Sequence, residues 1–216
     1  MSSLERHTDY GSTGLSEAEV LRDPMAQFAA WLSAAEAAEI FEPNAMVVST
    51  VDADGTPSSR TVLLKAFDSD AFQFVTNYRS HKAQALEAHP AVSLLFPWYQ
   101  LTRQVIVRGV AHRTDAATSD AYFATRPHGS RLAALASEQS EPVASRQVLE
   151  DRMRELESRY PEGSVVPRPE HWGGFRVVPS TIEFWQGRTS RLHDRLVFTA
   201  SDGRWTLGQR GTVCHL

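Results

Sequence analysis

The segment from Arg191 to Arg195 carries two arginines, a histidine and an aspartate within five residues, directly after a strand-like run that contains Trp185. Side chains two residues apart point to the same face of an extended chain. An extended conformation would therefore place Arg191, His193 and Arg195 on one wall, which predicts a surface that binds anions and handles protons. A polar turn between two strands explains the same spacing equally well.

A second set of cations flanks an apolar strand and a helix start. Arg60 and Lys65 open and close an apolar run, and because they are five residues apart they would face opposite sides of a regular strand. Ser80 precedes His81 and Lys82 where a strand end meets a helix, so Ser80 is predicted to cap that helix. Backbone donors at a helix N-terminus together with a lysine favour an anion site. Snorkelling strand ends and a capped surface helix are the alternatives.

A third group of polar residues lies near the ends of predicted helices. Tyr122 and Arg126 are four apart on one helix face, and Ser130 follows the proline break, which favours a phosphate clamp. A Tyr–Arg pair beside a proline stop explains the same pattern. Gln104 opens a strand and can point its amide at a heterocycle edge, and a polar strand opening on the surface is the alternative. The Gln139–Ser140 pair, where a helix ends, is uninformative by itself.

The elements that must position these residues follow from apolar periodicity and turn residues. Asp23 is predicted as the N-cap of a helix over 25–40, with Pro24 at its first position. Asp54-Gly55 predicts a hairpin. Strands are predicted over 45–51, 60–67, 72–76, 91–98, 104–112, 175–178, 181–186, 196–199 and 205–207, and further helices over 81–88, 115–125, 130–137 and 145–160.

Short strands come first, helices follow, and strands return, which favours an α+β arrangement: an antiparallel barrel with helices packed outside. We expect a mobile N-terminal segment over residues 1–20, one domain over 21–207, and a separate C-terminal tail over 208–216.

Composition excludes several classes of function. The chain has 216 residues, is 42% hydrophobic and carries a net charge of −4, so it does not resemble a general nucleic-acid or membrane-surface binder. It has no apolar run near the ~18 residues of a membrane span. The N-terminus lacks the apolar core of a secretory signal, and the single cysteine, Cys214, predicts a reducing cytoplasm.

The common cofactor motifs are missing from the sequence. It contains neither G-x-G-x-x-G nor G-x-x-x-x-G-K-[ST], so any phosphate must be held largely by side chains. It contains no cysteine pair and no H-E-x-x-H, so we expect no metal site.

Several ordered motifs together resemble the pyridoxamine 5′-phosphate oxidase family. They are R-x-V-L-L-K at 60–65, L-F-P-W at 95–98, R-Q-V at 103–105, Y-F-x-x-R-P at 122–127, Q-S at 139–140, W-G-G-F-R at 172–176, I-E-F-W-Q-G at 182–187 and R-L-H-D-R at 191–195. The resemblance extends from about residue 23 to residue 205.

The resemblance implies a fold and an activity. The fold would be an FMN-binding split β-barrel, antiparallel and Greek-key-like, that forms a homodimer with FMN between the subunits. The activity would be oxidation of pyridoxamine or pyridoxine 5′-phosphate to pyridoxal 5′-phosphate, with O2 reduced to H2O2. A related flavin oxidase of the phenazine-pathway type, acting on another small acidic substrate, and a non-catalytic protein that binds FMN or pyridoxal phosphate remain as alternatives.

The resemblance also implies residue roles. FMN would be bound in its own chain by Arg60, Thr61, Val62, Leu63, Leu64, Lys65, Val75, Thr76, His81, Lys82 and Gln104, and from the partner chain by Gln139, Ser140, Trp185 and Arg195. Lys65, Tyr122, Arg126 and Ser130 would bind the substrate phosphate. Arg191 and His193 would lie over the pyridine ring as the catalytic pair, and Tyr10 would belong to a lid.

This chain departs from the family pattern at three places. His81 stands where arginine is usual, which predicts weaker FMN binding at alkaline pH because a neutral histidine lacks the guanidinium charge. The sequence after Leu207 lacks the usual Arg-Leu-x-Pro ending. The N-terminal Arg-x-x-Tyr pattern is only partly present around Arg6 to Tyr10.

Overall fold

The structure is a computed structural model and describes residues 9–209. The five α-helices in this range are α1 (Pro24–Ala37), α2 (His81–Ala88), α3 (Ala116–Thr125), α4 (His128–Ala136) and α5 (Arg146–Arg159). The nine strands are β1 (Ala45–Val51), β2 (Pro57–Leu63), β3 (Ala66–Phe67), β4 (Phe72–Asn77), β5 (Ala91–Trp98), β6 (Arg103–Arg113), β7 (Trp172–Gln186), β8 (Asp194–Ser201) and β9 (Arg204–Gln209).

All nine strands belong to one antiparallel sheet with the order β2-β1-β5-β6-β7-β4-β3. The strand β7 is long enough to pair with two neighbours on one edge: its first half pairs with β4 and its second half with β8, which in turn pairs with β9. The sheet curls into a half-barrel with the helices outside it. The predicted α+β split barrel is therefore confirmed.

Aromatic side chains fill the barrel core beneath α1. The Asp23 side chain accepts a hydrogen bond from the Met25 backbone N–H at 2.9 Å, so the predicted cap is confirmed. The ring of Phe28, on the buried face of α1, meets the rings of Phe72 and Phe96 edge to face, with centroids 4.9 Å apart in both pairs. These contacts fix α1 across the barrel.

A second hydrophobic cluster lies between β7 and the helices α3 and α4. Phe123, Leu132, Val166 and Trp172 are its largest buried members. It holds α3 and α4 against the outside of the sheet, and with them the segment around residue 126 that carries the predicted phosphate clamp.

The prediction of two separate strands over 175–178 and 181–186 was wrong, because β7 runs through Pro179 without a break. Its register with β6 shifts between Arg108 and Gly109. A Cβ atom at Gly109 would lie 2.1 Å from the Val178 carbonyl oxygen, so glycine permits the two backbones to approach at the bulge. Proline is tolerated at such an irregularity because its missing N–H costs no regular ladder bond.

The predicted strand over 60–67 was also too long. The chain changes partners after β2: the backbone N–H of Leu64 donates to Asn44, whereas that of Lys65 donates to Gln73. Arg60 and Lys65 therefore lie on different segments, and Lys65 is exposed at the junction to β3.

The prediction that 191–195 forms one extended wall was wrong. Residues 189–191 form a 3-10 turn in which Ser190 and Arg191 have φ of 57° and 60°, and β8 begins only at Asp194. The left-handed backbone reverses the chain, so Arg191 is not in register with Arg195.

The chain ends bear on the predicted domain limits. The strand β9 continues to Gln209, two residues beyond the predicted domain boundary at 207, and residues 9–20 contact the turn that follows β7. The rest of the predicted tail and the Arg6 region lie outside the described residues. Among the helices between residues 9 and 209, none is long and apolar enough to cross a membrane.

Candidate active site

Nine residues that the sequence assigned to the cofactor line one cleft of about 400 Å3. They come from the exposed side of β2, the end of β4, the first turn of α2 and the segment after α4. They are Arg60, Thr61, Val62, Val75, Thr76, His81, Lys82, Gln139 and Ser140. Leu64 instead buries its side chain in the barrel core.

The buried cation of this cleft is Lys82, whose side chain sits beneath the first turn of α2. Its Nζ donates to the Thr76 hydroxyl at 3.1 Å, to the Gln139 Oε1 at 3.2 Å and to the Ser80 hydroxyl at 3.4 Å. All three partners are neutral. Burial, followed by the charge of Arg60, lowers the pKa of Lys82 from 10.5 to about 8. The cleft therefore concentrates positive charge that favours an anion.

The second cation, Arg60, is fixed by neutral acceptors on β1 and β2. Its Nη1 donates to the Thr50 hydroxyl at 2.7 Å and to the Val48 carbonyl at 3.2 Å, and its Nη2 donates to the Ser58 hydroxyl at 2.8 Å. Burial lowers the pKa of Arg60, and Asp52 partly offsets this effect. Because arginine remains charged, the group is a rigid donor fork beside Lys82.

The start of α2 differs from the prediction in its detail. Ser80 is the N-cap residue, but its side chain makes no capping bond, because its hydroxyl lies against Thr76 and Lys82 instead. The backbone N–H of His81 donates to the Ser140 hydroxyl at 3.2 Å. The imidazole of His81 points to Asp52, with 3.2 Å between Nε2 and Oδ2.

Gln139 and Ser140, which the resemblance assigns to FMN from the partner chain, also contact the cleft of their own chain. Gln139 accepts from Lys82 and Thr76, and Ser140 accepts from His81, all within one chain. The short segment between α4 and α5 reaches over α2 and closes the cleft on that side.

A second cavity of about 300 Å3 adjoins the first and shares Val75, Thr76 and Gln139 with it. Arg126 and Trp172 line this cavity. The guanidinium carbon of Arg126 lies 4.5 Å from the centre of a Trp172 ring, and the Tyr122 ring stacks on Trp172 at 6.2 Å and 7°. Tyr122 and Arg126 therefore share one aromatic platform, which the sequence analysis did not identify.

The charge on Arg126 is poorly compensated. Its buried Nη1 has no hydrogen-bond partner among residues 9–209, and burial lowers its pKa. Burial also raises the pKa of Tyr122. Of the other two residues predicted to bind the substrate phosphate, Ser130 lies in the first turn of α4 and Lys65 is exposed after β2; neither lines the two cavities.

Trp185, His193 and Tyr10 form a separate cluster at the C-terminal end of β7. The His193 ring lies 4.7 Å from Trp185 and 5.4 Å from Tyr10, and Tyr10 meets Trp185 edge to face at 6.0 Å. Gln104 on β6 is directly opposite Trp185 in the sheet. The structure thus brings together four residues with different predicted roles: Gln104 and Trp185 at FMN, His193 over the pyridine ring and Tyr10 in the lid.

Hydrogen bonds and charges define the state of this cluster. The Nδ1 atom of His193 accepts a hydrogen bond from the backbone N–H of Arg188 at 3.0 Å. Burial, then the charge of Arg191, lowers the pKa of His193. Arg195 forms an ion pair with the buried Glu183, with 3.1 Å between Nε and Oε1. Glu183 is a further residue that the sequence analysis did not single out.

Fold and site together define a split-barrel protein with a cationic cleft and an aromatic–histidine cluster. A family model described as pyridoxamine 5′-phosphate oxidase matches residues 16–160, and one described as pyridoxine 5′-phosphate oxidase C-terminal dimerisation region matches residues 172–209. The chain belongs to the pyridoxamine 5′-phosphate oxidase family.

Similar proteins support this assignment. A pyridoxine/pyridoxamine 5′-phosphate oxidase from Streptomyces avermitilis is 56% identical over 201 residues, covering 91% of this chain and 90% of the relative. One from Rubrobacter xylanophilus is 54% identical over 197 residues, with the same coverage.

Solved structures show the same architecture. PhzG from Burkholderia lata 383, in complex with tetrahydrophenazine-1-carboxylic acid, superposes with a TM-score of 0.87 at 26% identity, covering 94% of this chain and 100% of that one. A pyridoxamine 5′-phosphate oxidase-related, FMN-binding protein from Nostoc punctiforme has a TM-score of 0.69 at 15% identity, covering 92% of this chain and 98% of that one, and shares the fold.

Proposed function

We propose that this protein is an FMN-dependent oxidase that converts pyridoxamine 5′-phosphate and pyridoxine 5′-phosphate to pyridoxal 5′-phosphate. The observation that carries the proposal is the buried Lys82 ammonium, which is held beside Arg60 by neutral partners and therefore favours a phosphate. Relatives that are more than 50% identical carry the name of this activity.

The residues of the cleft fit FMN. Arg60 and Lys82 would hold its phosphate, with the backbone donors at the start of α2 nearby. The strand backbone from Thr61 to Leu64, the side chains of Val75 and Thr76, and Gln104 would line the flavin ring. When bound, FMN would accept a hydride equivalent from the exocyclic carbon of the substrate and pass two electrons to O2, which gives H2O2.

The chain's own residues bind and orient the substrate. Arg126 and Tyr122, fixed on Trp172, would grip the substrate phosphate, with Lys65 and Ser130 as further donors. Arg191 and His193 would lie over the pyridine ring. Because the Nδ1 atom of His193 accepts a hydrogen bond, its Nε2 carries the proton in the neutral ring and acts as a donor. The remote phosphate contacts would fix the reacting carbon in place.

We further propose a homodimer with FMN between the subunits. The family model named for dimerisation covers residues 172–209, which include Trp185 and Arg195. These two residues would reach FMN from the partner chain, whereas Gln139 and Ser140 would act from the chain that supplies Lys82. Tyr10, packed on Trp185 and His193, would belong to the lid over the substrate.

The proposal is tested with purified protein loaded with FMN. Absorbance and fluorescence titration would report FMN binding, and light scattering would report the dimer. Peroxide release with each phosphorylated vitamer is the expected result, with little release from the unphosphorylated vitamers. An FMN-loaded protein that releases no peroxide with either phosphate ester would contradict the oxidase and leave a binding protein.

A second candidate is a flavin oxidase that acts on a reduced phenazine precursor, and the close superposition with PhzG favours it. The phosphate clamp around Arg126 distinguishes the two, because a phenazine carboxylic acid carries no phosphate. Turnover of tetrahydrophenazine-1-carboxylic acid at a higher kcat/KM than pyridoxamine 5′-phosphate would establish this alternative.

A further inference from the structure

The N-terminal segment over residues 9–16, here called the strap, lies across the turn that joins β7 to β8. The Tyr10 ring packs against Trp185 and His193, and the Gly11 carbonyl accepts a hydrogen bond from the Thr189 backbone N–H at 2.9 Å. Tyr10 is 37% exposed, so its contacts with the two rings leave much of its side chain in solvent. Its position therefore depends on what fixes the rest of the strap.

The strap is fixed at its other end by Asp194, the first residue of β8. The Asp194 Oδ2 accepts a hydrogen bond from the Leu15 backbone N–H at 2.8 Å and one from the Arg188 Nη1 at 3.4 Å. The Asp194 side chain is only 14% exposed, and Leu15 is buried in the barrel core. A partly desolvated carboxylate that accepts charge-assisted and backbone hydrogen bonds is a strong anchor.

Two glycines permit this close approach. A Cβ atom at Gly187 would lie 2.9 Å from Tyr10 Cγ, and one at Gly14 would lie 3.3 Å from both Asp194 Oδ2 and Arg188 Nη1. The turn therefore approaches Tyr10 closely at Gly187, and the strap approaches Asp194 and Arg188 closely at Gly14. A contact built in this way fixes one relative position of the two segments.

We propose that Asp194 is a positioning residue that clasps the strap over the His193 ring and so sets the affinity for the substrate. This inference rests on the proposed oxidase function. Asp194 acts through Leu15 and Arg188 on Tyr10, and the cleft around Lys82 is a different part of the chain. Loss of the clasp should therefore raise the KM for pyridoxamine 5′-phosphate, measured with FMN saturating.

The test compares Asp194→Ala and Asp194→Asn with wild type in the FMN-loaded protein. Loss of a charge-assisted anchor predicts a KM about 10-fold higher for Asp194→Ala, with kcat changed less than about 3-fold. Asp194→Asn keeps an oxygen acceptor for the Leu15 backbone N–H, so its KM should lie between those of wild type and Asp194→Ala. Glu17→Ala, which removes an exposed carboxylate next to the strap, is the matched control and should behave as wild type.

Two further measurements separate positioning from general damage. In a Tyr10→Ala background, Asp194→Ala should raise KM by less than about 2-fold, because the ring that Asp194 positions is then absent. Chymotrypsin should cleave after Tyr10 faster in Asp194→Ala than in wild type, and this readout needs no substrate. If wild type fails to oxidise the substrate, only the proposed function fails. An unchanged rate of cleavage, or additive effects on KM, would overturn the role of Asp194.

Discussion

The backbone N–H of Arg188 donates a hydrogen bond to the Nδ1 atom of His193 at 3.0 Å. A protonated imidazole has no acceptor at Nδ1, so protonation of His193 would break this bond. Burial and the positive charge of Arg191 also lower the pKa of His193 below 6.5. All of these effects favour the neutral ring at pH 7, with its hydrogen on Nε2.

His193 should therefore act as a hydrogen-bond donor and not as a general base. We expect His193→Gln, which can present an N–H group, to lower kcat/KM by less than about 10-fold, whereas loss of a general base costs about 100-fold or more. His193→Ala should cost more than His193→Gln. With FMN saturating, kcat/KM should be flat above pH 6.5 and fall only as His193 becomes protonated below that value. A rise of kcat/KM between about pH 6.5 and 7.5 would contradict this assignment.

The lowered pKa of Lys82 predicts how FMN binding depends on pH. In the free protein Lys82 loses its charge above a pKa of about 8, and a bound phosphate dianion raises that pKa, so binding at higher pH must take up a proton. The Kd for FMN should rise by up to about 10-fold per pH unit above pH 8. Titration by flavin fluorescence between about pH 7 and 9 measures this slope.

Lys82→Arg is the matched variant for this slope, because arginine keeps its charge throughout the range. Its Kd should be nearly independent of pH above 8, even if it is higher overall. Equal slopes in wild type and Lys82→Arg would assign the pH dependence to a group other than Lys82.

The same lysine should destabilise the protein when FMN is not bound. Because the folded pKa of Lys82 lies below its unfolded value of 10.5, the charge opposes folding below pH 8, and this cost disappears as pH rises from 8 to 10.5. Lys82→Met should therefore raise the free energy of unfolding of the flavin-free protein by about 1 kcal/mol or more at pH 7. Urea unfolding at pH 7 and near pH 10 should show the gain shrinking. Lys65→Met, at an exposed lysine, is the control for the loss of a lysine side chain at pH 7.

The family resemblance assigned residues to the cofactor, whereas local sequence patterns predicted only the ends of the elements beside which those residues lie. Asp23-Pro24, Asp54-Gly55 and the helix start after Ser80 mark these ends by local chemistry, and all three are where they were predicted. Side chains next to such junctions converge because the antiparallel barrel brings strand ends and helix starts together.

Long-range and strained features could not be predicted in this way. The left-handed backbone of Ser190 and Arg191 could not be predicted, since neither residue type favours positive φ. The strands predicted over 175–178 and 181–186 are one strand, because Gly109 on the neighbouring strand permits the close approach of the backbone beside Pro179. Trp172 and Asp194 contact residues that are distant in sequence, so the motifs that contain them do not show which side chains they support.

The irregular pairing of β6 with β7 at Gly109 gives a prediction about stability. Gly109→Ala would place a Cβ atom 2.1 Å from the Val178 carbonyl oxygen, and the backbone of β7 cannot yield without losing its ladder. We expect a loss of about 3 kcal/mol or more in the free energy of unfolding, measured by urea denaturation. Gly208→Ala on β9, where a Cβ atom would meet nothing within 4 Å, is the control and should be near neutral. Similar stability of the two variants would contradict the close contact of the β6 and β7 backbones at Gly109.

The final prediction concerns Trp172 as the platform for the phosphate clamp. Its ring supports the Arg126 guanidinium at 4.5 Å and the Tyr122 ring at 6.2 Å. Trp172→Leu removes both contacts, and a cation–π contact of ~1–2 kcal/mol corresponds to about a 10-fold rise in KM for pyridoxamine 5′-phosphate. Trp172→Phe keeps an aromatic ring and should show a smaller rise.

The decisive comparison uses the phosphate group itself. Inorganic phosphate should inhibit wild type competitively, and its inhibition constant should rise in parallel with KM in Trp172→Leu. The kcat/KM for unphosphorylated pyridoxamine should change by less than about 3-fold, because that substrate lacks the group that Arg126 binds. Trp205→Leu, on β9, controls for the loss of a tryptophan elsewhere in the barrel. Equal losses with and without the substrate phosphate would mean that Trp172 supports the fold and not the clamp.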